Sequence, residues 1–335
     1  MIYFDTTNAS RWSHGSGLSR VSRRLSEGLG DAATFVRWPH LPHAGPSDWF
    51  LTPELFAEED RPGLSAFLER HPCRLAAVYH DAIPLKLPEI TWPASVRRHA
   101  SYMRMLADFD RVWAVSAASR EELLSFWRWQ HVEAPPPVEV LLLGADGLGA
   151  PRGSSAWPER ARIVSVGILE PRKNQAVLLD AFEALQDEGI AFELHLAGRV
   201  NPHFGKPIRQ RIERLRGRFQ GLVHHADMGD GALAALVRSA TATAFASLAE
   251  GCGLPVLESL WLGVPCLCSD LAPLLETAAA GGCDVVPGNT VEGWVGALRR
   301  ILTDRNHRDQ LAGKAAARAL PTWACACEAL RTALG

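Results

Sequence analysis

Residues 243–271 read TAFASLAEGCGLPVLESLWLGVPCLCSDL. The stretch starts as an apolar strand and breaks at a loop holding Gly251 and Gly253. It re-enters a helix at Pro255, the residue best tolerated in a first helical turn. Val256, Leu257, Leu260 and Trp261 recur at helical spacing, so one face of that helix is apolar. Gly263 ends the helix, and Val264 to Leu267 read as the next buried strand. A glycine loop opening onto a helix N-terminus presents backbone N–H groups and a positive dipole end, which suits a phosphate. Glu250 precedes the loop and Glu258 follows it. The dipole alone would favour glutamates there, but a pair bracketing a glycine loop between two strands points to a site. The two carboxylates could then hold the two ends of a sugar-nucleotide, one its hexose and the other its ribose.

Working outward, Arg162 to Val166 reads as a strand ending at Gly167, and Arg172-Lys173 precede a helix over 174–186. Two adjacent cations at a strand-to-helix loop can neutralise a diphosphate, Arg through a bidentate fork and Lys as a point charge. A further strand over 192–198 delivers Arg199, and a short one over 221–226 follows a basic helix. The loops at Arg199 and at His225 to Met228 are expected to line a nucleobase pocket.

Toward the N-terminus, Met1 to Asp5 is a short strand, followed by a loop carrying Gly15, Ser16 and Gly17 and a helix from Ser19 to Leu29. The loop is a phosphate cradle of low specificity. A dinucleotide fingerprint fails, because Arg20 stands where the third glycine belongs and no acidic residue ends the next apolar run, Thr34 to Trp38. Arg74 to Tyr79 is a buried strand delivering His80 and Asp81 at its carboxyl end, where open α/β sheets hold ligands. Trp92 to Asp108 reads as a helix, and Arg111 to Val115 as a strand ending at Ser116. Ser119-x-x-Glu122 reads as a capping box. Asp108-Phe-Asp110 matches an Asp-x-Asp metal motif by letter only, since it closes a helix rather than following a strand.

The Glu250-x7-Glu258 motif resembles that of retaining GT-B glycosyltransferases, especially family four. The likeness extends through Val166-Gly-Ile-Leu-Glu-Pro-Arg-Lys-Asn174, Gly263-Val-Pro-Cys-Leu-Cys-Ser-Asp270 and the His80-Asp81-Ala-Ile-Pro84 segment. It is strong over the C-terminal half and weak over the N-terminal half. It implies an α/β fold of two Rossmann-like domains facing a cleft, with a closing helix crossing back to the first domain. It implies catalytic roles for Arg172, Lys173, Glu250 and His80. Donor binding falls to Gly15, Ser16, Gly17, Gly167, Arg199, Gly251, Cys252, Gly253, Leu254 and Glu258, and the acceptor side to Asp81 and Ser116. It implies metal-independent transfer with retention and no cofactor beyond the nucleotide-sugar. "HDAIPL" with "EPRKN" leans toward mannosyltransferases of surface polysaccharide assembly, hence GDP-mannose, with a UDP-hexose as competitor. Cys252 stands where the family has an aromatic, and Ala246-Ser247 where it often has Pro-Ser. A sugar-nucleotide epimerase and a non-catalytic glycan-assembly partner are the alternatives.

Composition sets the frame. A length of 335 residues suits two domains, and 47% hydrophobic with 21% charged residues is ordinary for a globular protein. A net charge of -2 supplies no drive toward nucleic acid. No run approaches a membrane span and no signal peptide is read at the N-terminus. Seven cysteines in no framework spacing read as reduced thiols in a cytoplasmic protein. The Gly-, Pro- and Ser-rich segment 144–158 is the expected linker. It divides an acceptor domain (1–150) from a donor domain (151–320), with the closing helix at 321–335. Arginines near 20–24 and 97–104 could make weak peripheral contact with an anionic membrane inner face, where lipid-linked acceptors reside. Monomer and homodimer stay open.

Overall fold

In a computed structural model, which describes residues 1–9, 17–40, 44–153 and 158–335, strands and helices alternate along the whole chain. The chain folds as two compact units. The first is Met1–Gly144 with Pro321–Gly335, and the second is Ala145–Leu320.

The first unit carries β1 (Ile2–Asp5), β2 (Ala33–Val36), β3 (Trp49–Thr52), β4 (Arg74–Tyr79), β5 (Arg111–Ala114) and β6 (Val138–Val140) in a parallel sheet of order β2-β1-β3-β4-β5-β6. β1, β3 and β4 are buried almost throughout, as strands covered by helices on both faces must be. The helices are α1 (Gly17–Leu29), α2 (Leu64–Arg70), α3 (Ile83–Lys86), α4 (Pro93–Met105) and α5 (Ala117–Trp129). The helix expected over 92–108 ends its α-helical part at Met105 and finishes in a tight 3-10 turn, Leu106–Asp108. Asp110 accepts from Leu75 N at 2.6 Å and contacts His71 Nε2 at 2.8 Å, a structural role fixing β4 against β5. β3 and α2 have no counterpart among the elements expected from sequence. Trp49–Thr52 is a four-residue apolar run that no alternation distinguishes from loop.

The C-terminal helix, grouped with this unit, is numbered last. It runs Trp323–Leu334, is capped by Thr322, buries Trp323, Ala326, Cys327, Leu330 and Leu334, and packs on α1. The two helices meet closely at Gly28, where a Cβ would stand 2.4 Å from Cys327 Sγ, so only glycine fits.

The second unit carries β7 (Arg162–Val166), β8 (Glu193–Ala197), β9 (Leu222–His225), β10 (Ala242–Phe245), β11 (Cys266–Ser269) and β12 (Cys283–Val286), all parallel, in the order β12-β11-β10-β7-β8-β9. Its helices are α6 (Gln175–Asp187), α7 (Lys206–Arg216), α8 (Asp230–Arg238), α9 (Leu254–Trp261), α10 (Ala272–Ala278), α11 (Val291–Thr303) and α12 (Arg305–Ala317), and Trp323–Leu334 is then α13. α6 buries Val177, Leu178, Ala181, Phe182 and Leu185 at helical spacing against β7 and β8 residues Ile163, Leu194 and Leu196. The strand expected from Val264 begins at Cys266, because Val264 N and Pro265 belong to the turn that closes α9.

Chain order decides where ligands go. From β7 the chain moves outward to β8 and β9, then crosses back to β10 on the other side of β7 and continues to β11 and β12. The reversal makes β7/β10 the topological switch point of this sheet, where the loops diverge and leave a crevice. In the first unit the reversal falls between β1 and β3.

Candidate functional site

The loops leaving β7 and β10 stand side by side at the switch point. After β7, Gly167 leads to a tight turn, Pro171–Lys173, and Asn174 takes the left-handed conformation (φ 50°) before α6 starts. Asn tolerates that region better than most residues. Gln175, buried, donates from Nε2 to Ile168 O (2.9 Å) and accepts from Glu170 N (3.3 Å), which holds the loop to the start of α6.

Within this loop Arg172 and Lys173 turn toward Glu250. Lys173 Nζ donates to Glu250 Oε1 at 2.5 Å, and Ser247 Oγ donates to the same oxygen at 2.5 Å. Arg172 NH1 lies 3.8 Å from Glu250 Oε2 and donates to Ala249 O at 3.2 Å. The backbone joins the two loops as well, Leu248 N donating to Arg172 O. Burial pulls the Lys173 ammonium below its ordinary value, and the opposing Glu250 charge does not fully offset this. Burial pushes Glu250 upward, but Lys173, then Arg172 and the hydrogen bonds outweigh it, and the carboxyl ends below its usual value.

Three residues outside the sequence expectation complete the arrangement. Glu170 Oε1 pairs with Arg172 NH2 at 2.7 Å, while its Oε2 accepts from Asn201 Nδ2 at 2.9 Å. Asn201 Oδ1 in turn accepts from His203 N and Phe204 N, tying the loop after β8 to the arginine. Ser247 binds Glu250 by its hydroxyl, and its carbonyl is held by Ser269 Oγ (2.8 Å) and Asn289 Nδ2 (3.3 Å). Glu170 sits inside the quoted "EPRKN" segment, so its acidic side chain two residues before Arg172 was a usable signal, as was Ser247 at the serine of the family's Pro-Ser; Asn201 carries none.

The glycine loop is built as its residues suggest. Gly253 has φ 79° and caps α9, and a Cβ there would stand 2.4 Å from Leu274 Cδ2. The helix begins at Leu254, one residue before Pro255, which takes the second helical position. Glu258 lies in its second turn with a buried side chain, 3% exposed. Cys252 is half-buried, and burial, then the Glu250 and Glu276 charges, push its thiol up to about 12, so it is no nucleophile. Lys173's stem runs beside Gly167, placing that glycine at the site's floor. Arg199 is exposed at the end of β8, and its carbonyl accepts from Leu169 N. His225 is engaged by His195 Nδ1 at 3.0 Å within β8/β9.

Gly17, His80, Asp81 and Ser116 belong to the first unit, and Gly15 and Ser16 lie outside the described residues. Gly17 is the exposed first residue of α1. His80 directly follows β4, with a buried ring whose Nε2 donates to Pro53 O at 2.8 Å. Burial lowers its basicity, against the pull of the Pro53 carbonyl and the Asp81 charge. Asp81 Oδ1 accepts from Ile83 N, a turn-forming bond. Ser116 caps α5 by accepting from Ser119 N at 3.0 Å. The capping box expected at Ser119 is thus displaced by three residues. Ser119 Oγ donates to His80 O, and Glu122 instead receives Lys86 and Ala82 N. A strand ending at Ala114 puts Ser116 in the extended conformation a cap requires.

The switch point of the first unit holds a buried charge cluster. Arg61 NH1 lies 2.6 Å from Asp5 Oδ2 and NH2 lies 2.8 Å from Glu54 Oε2. Glu54 also accepts from Asn8 N (2.7 Å) and Ala9 N (2.6 Å), fixing the start of the loop after β1.

Among the described residues no cluster of three or more His, Cys, Asp or Glu side chains could hold a metal ion, and no helix is long and apolar enough to cross a membrane.

Comparison with known proteins bears on the family and the fold. Residues 152–318 match the family model described as Glycosyl transferases group 1. The serotype-specific mannosyltransferase WbdA of Escherichia coli is 31% identical over 220 residues, covering 60% of this chain and 26% of that protein. A GDP-mannose-dependent alpha-(1-6)-phosphatidylinositol dimannoside mannosyltransferase of Mycobacterium tuberculosis is 29% identical over 240 residues, covering 69% of this chain and 59% of its own length. The chain therefore spans about a quarter of the E. coli relative. In fold it is similar to sucrose-phosphate synthase from Thermosynechococcus elongatus, with a TM-score of 0.74 at 17% identity over 99% of this chain and 97% of that one. It is also similar to WaaG, a glycosyltransferase involved in lipopolysaccharide biosynthesis, with a TM-score of 0.68 at 14% identity over 100% of this chain and 99% of that one. Both likenesses are of fold, the two-sheet GT-B architecture. Through its second unit the chain belongs to the glycosyl transferases group 1 family.

Proposed function

We propose that this chain transfers a hexose, mannose from GDP-mannose in the first instance, from a nucleotide-sugar to a glycan or lipid-linked acceptor in surface polysaccharide or glycoconjugate synthesis, with retention at the anomeric carbon. The observation that carries the proposal is the convergence of Arg172 and Lys173 on Glu250 at the β7/β10 switch point, beside the N-terminus of α9. Negative charge develops on a departing nucleoside diphosphate, and two preoriented cations stabilise it there without reorganising. The first turn of α9 adds backbone N–H groups of the kind that favour phosphate oxygens. Glu258 accepts from the ribose hydroxyls and Glu250 from the hexose. His80 contacts the transferred sugar, and Asp81 and Ser116 serve the acceptor. No protein nucleophile is assigned, so retention follows from same-face attack with the diphosphate assisting deprotonation. Because Arg172 and Lys173 supply the positive charge, turnover does not depend on a divalent metal. The mannose donor is favoured by the relatives, whose names specify mannosyl transfer.

Calorimetry with GDP, UDP, ADP and dTDP tests the donor assignment, using the chain and Glu258→Ala. Tight GDP binding lost in the variant supports it, whereas preference for UDP moves the donor to a UDP-hexose. No nucleotide binding at all overturns the reading in favour of a non-catalytic partner. With a donor in hand, the anomeric configuration of the product by NMR decides retention. Rates with and without a chelator decide metal dependence.

A further inference from the structure

The second unit contains a thiol cluster that donor chemistry does not use. β11 and β12 are parallel neighbours whose register sets Cys266 directly opposite Cys283. Adjacent strands lie about 4.8 Å apart, within the Cα separation of about 4.4–6.8 Å that a disulfide spans. Cys268, two residues on, faces the same side of the sheet, so three thiols meet. The Cys266 thiol itself donates to Leu267 O at 3.4 Å, beside Cys283 on the neighbouring strand. Cys266 and Cys268 are fully buried, packed among Phe245, Val256, Leu260, Leu274 and Ala315. Cys283 is half-buried on the edge strand of the sheet, which leaves it the accessible member. The neighbouring Cys266 and Cys268 thiols, with the Arg318 guanidinium, hold Cys283 well below the ordinary thiol value. Arg318 is itself fixed there, donating from NH1 to Thr277 O (2.5 Å) and Gly281 O (3.1 Å). A cation-flanked, partly exposed thiolate is the reactive form of cysteine.

We propose that Cys283 and Cys266 are a peroxide-responsive dithiol, closing to a disulfide that staples the edge strand β12 to β11. The Cys283 thiolate attacks one oxygen of hydrogen peroxide and the O–O bond breaks. Sulfur is oxidised to sulfenic acid, and the departing hydroxide takes a proton to become water. Cys266 then attacks the sulfenic sulfur. The S–S bond forms as the S–O bond breaks, and the leaving hydroxide carries off the Cys266 proton as a second water. Two thiols and one peroxide thus give one disulfide and two waters, with Cys268 two residues along β11 from Cys266 on the same face. The oxidised bridge lies under the donor loop. Val256 and Leu260 of α9 pack on these thiols, and Ser269 at the end of β11 holds the Ser247 carbonyl. The inference stands apart from the choice of donor or acceptor.

The test is peroxide titration of the full chain, followed by alkylation, proteolysis and mass spectrometry of every cysteine-containing peptide. The expected result is a loss of two hydrogens, a linked peptide pair containing Cys266 and Cys283, and recovery of both thiols with dithiothreitol. Cys325→Ser, which removes the exposed thiol, leaves that result unchanged, whereas Cys283→Ala abolishes the bridge and leaves Cys266 alkylatable. Stepwise addition of two or three oxygens at Cys283 with no linked pair overturns the proposal. So does a bridge that maps to Cys325, or cysteines that stay fully reduced at peroxide levels that oxidise a free thiol.

Discussion

Lys173 Nζ and Glu250 Oε1 are 2.5 Å apart although the residues are separated by 77 positions and their side chains are only 15% and 11% exposed. Such a pair is poor evidence of a stability device, because desolvating two charges offsets much of their attraction. What it does achieve is placement, an ammonium and a guanidinium held at one crevice by one carboxylate that Ser247 fixes from behind.

Removing one partner should expose that cost. Lys173→Met leaves Glu250 buried with Arg172 only at 3.8 Å, and stability should fall by about 3 kcal/mol. Urea midpoints at constant m-value measure it. The double variant Lys173→Met/Glu250→Gln should recover part of the loss; strict additivity would mean the two do not interact.

Glu170 acts through Arg172. Glu170→Gln keeps the shape and the Asn201 contact but weakens the charge-assisted bond to the guanidinium. A hydrogen bond to a charged group is worth about 1.5–3 kcal/mol. Nucleoside diphosphate affinity should therefore fall about tenfold or more by calorimetry, with the fold intact by circular dichroism. Unchanged affinity would confine Glu170 to folding.

Gly253 combines a left-handed φ of 79° with a Cβ position 2.4 Å from Leu274 Cδ2. Gly253→Ala should cost more than about 1 kcal/mol and lower the melting temperature of a unit this size by at least about 2 °C. Gly231→Ala, on exposed α8 with no atom within 4 Å, is the control and should be neutral or stabilising. Equal effects at both positions would refute the argument.

The Asp5–Arg61–Glu54 cluster predicts a pH dependence of the opposite sign to that of most carboxylates. Burial, then the Asp5 charge, raise Glu54 from 4.5 to about 7 against the pull of Asn8 N, Ala9 N and Arg61. A raised folded-state value favours the protonated form. The stability it contributes is fully present below 4.5 and is lost as pH rises through about 7. Over that window the contribution is on the order of 3 kcal/mol, at about 1.4 kcal/mol per pH unit. Unfolding free energies at pH 5 and pH 7.5 should differ between the chain and Glu54→Gln by that relative amount, the variant losing less on going up. Parallel changes in the two proteins would show that Glu54 is ionised throughout.

Several elements are legible in the residues alone. Arg74–Tyr79 and Arg162–Val166 match β4 and β7 residue for residue, because strands buried on both faces read as unbroken apolar runs between polar ends. The Glu250-to-Glu258 loop is legible because glycine and proline restrict backbone geometry locally. The same locality explains the failures. β3 is too short to show a period, and the α5 cap passed to Ser116 because strand β5 ended one residue early.

The sequence by itself determined the alternation of strands and helices, the glycine loop, and which residue types stand at the strand ends. Only the tertiary structure decided which strand ends are neighbours. β10 returns across β7 rather than adding beyond β9, and that crossover sets Lys173 against Glu250, while the parallel register of β11 with β12 sets Cys266 against Cys283. Periodicity records which face of an element is buried. It carries nothing about sheet order, which is settled by how helices on both faces share one core.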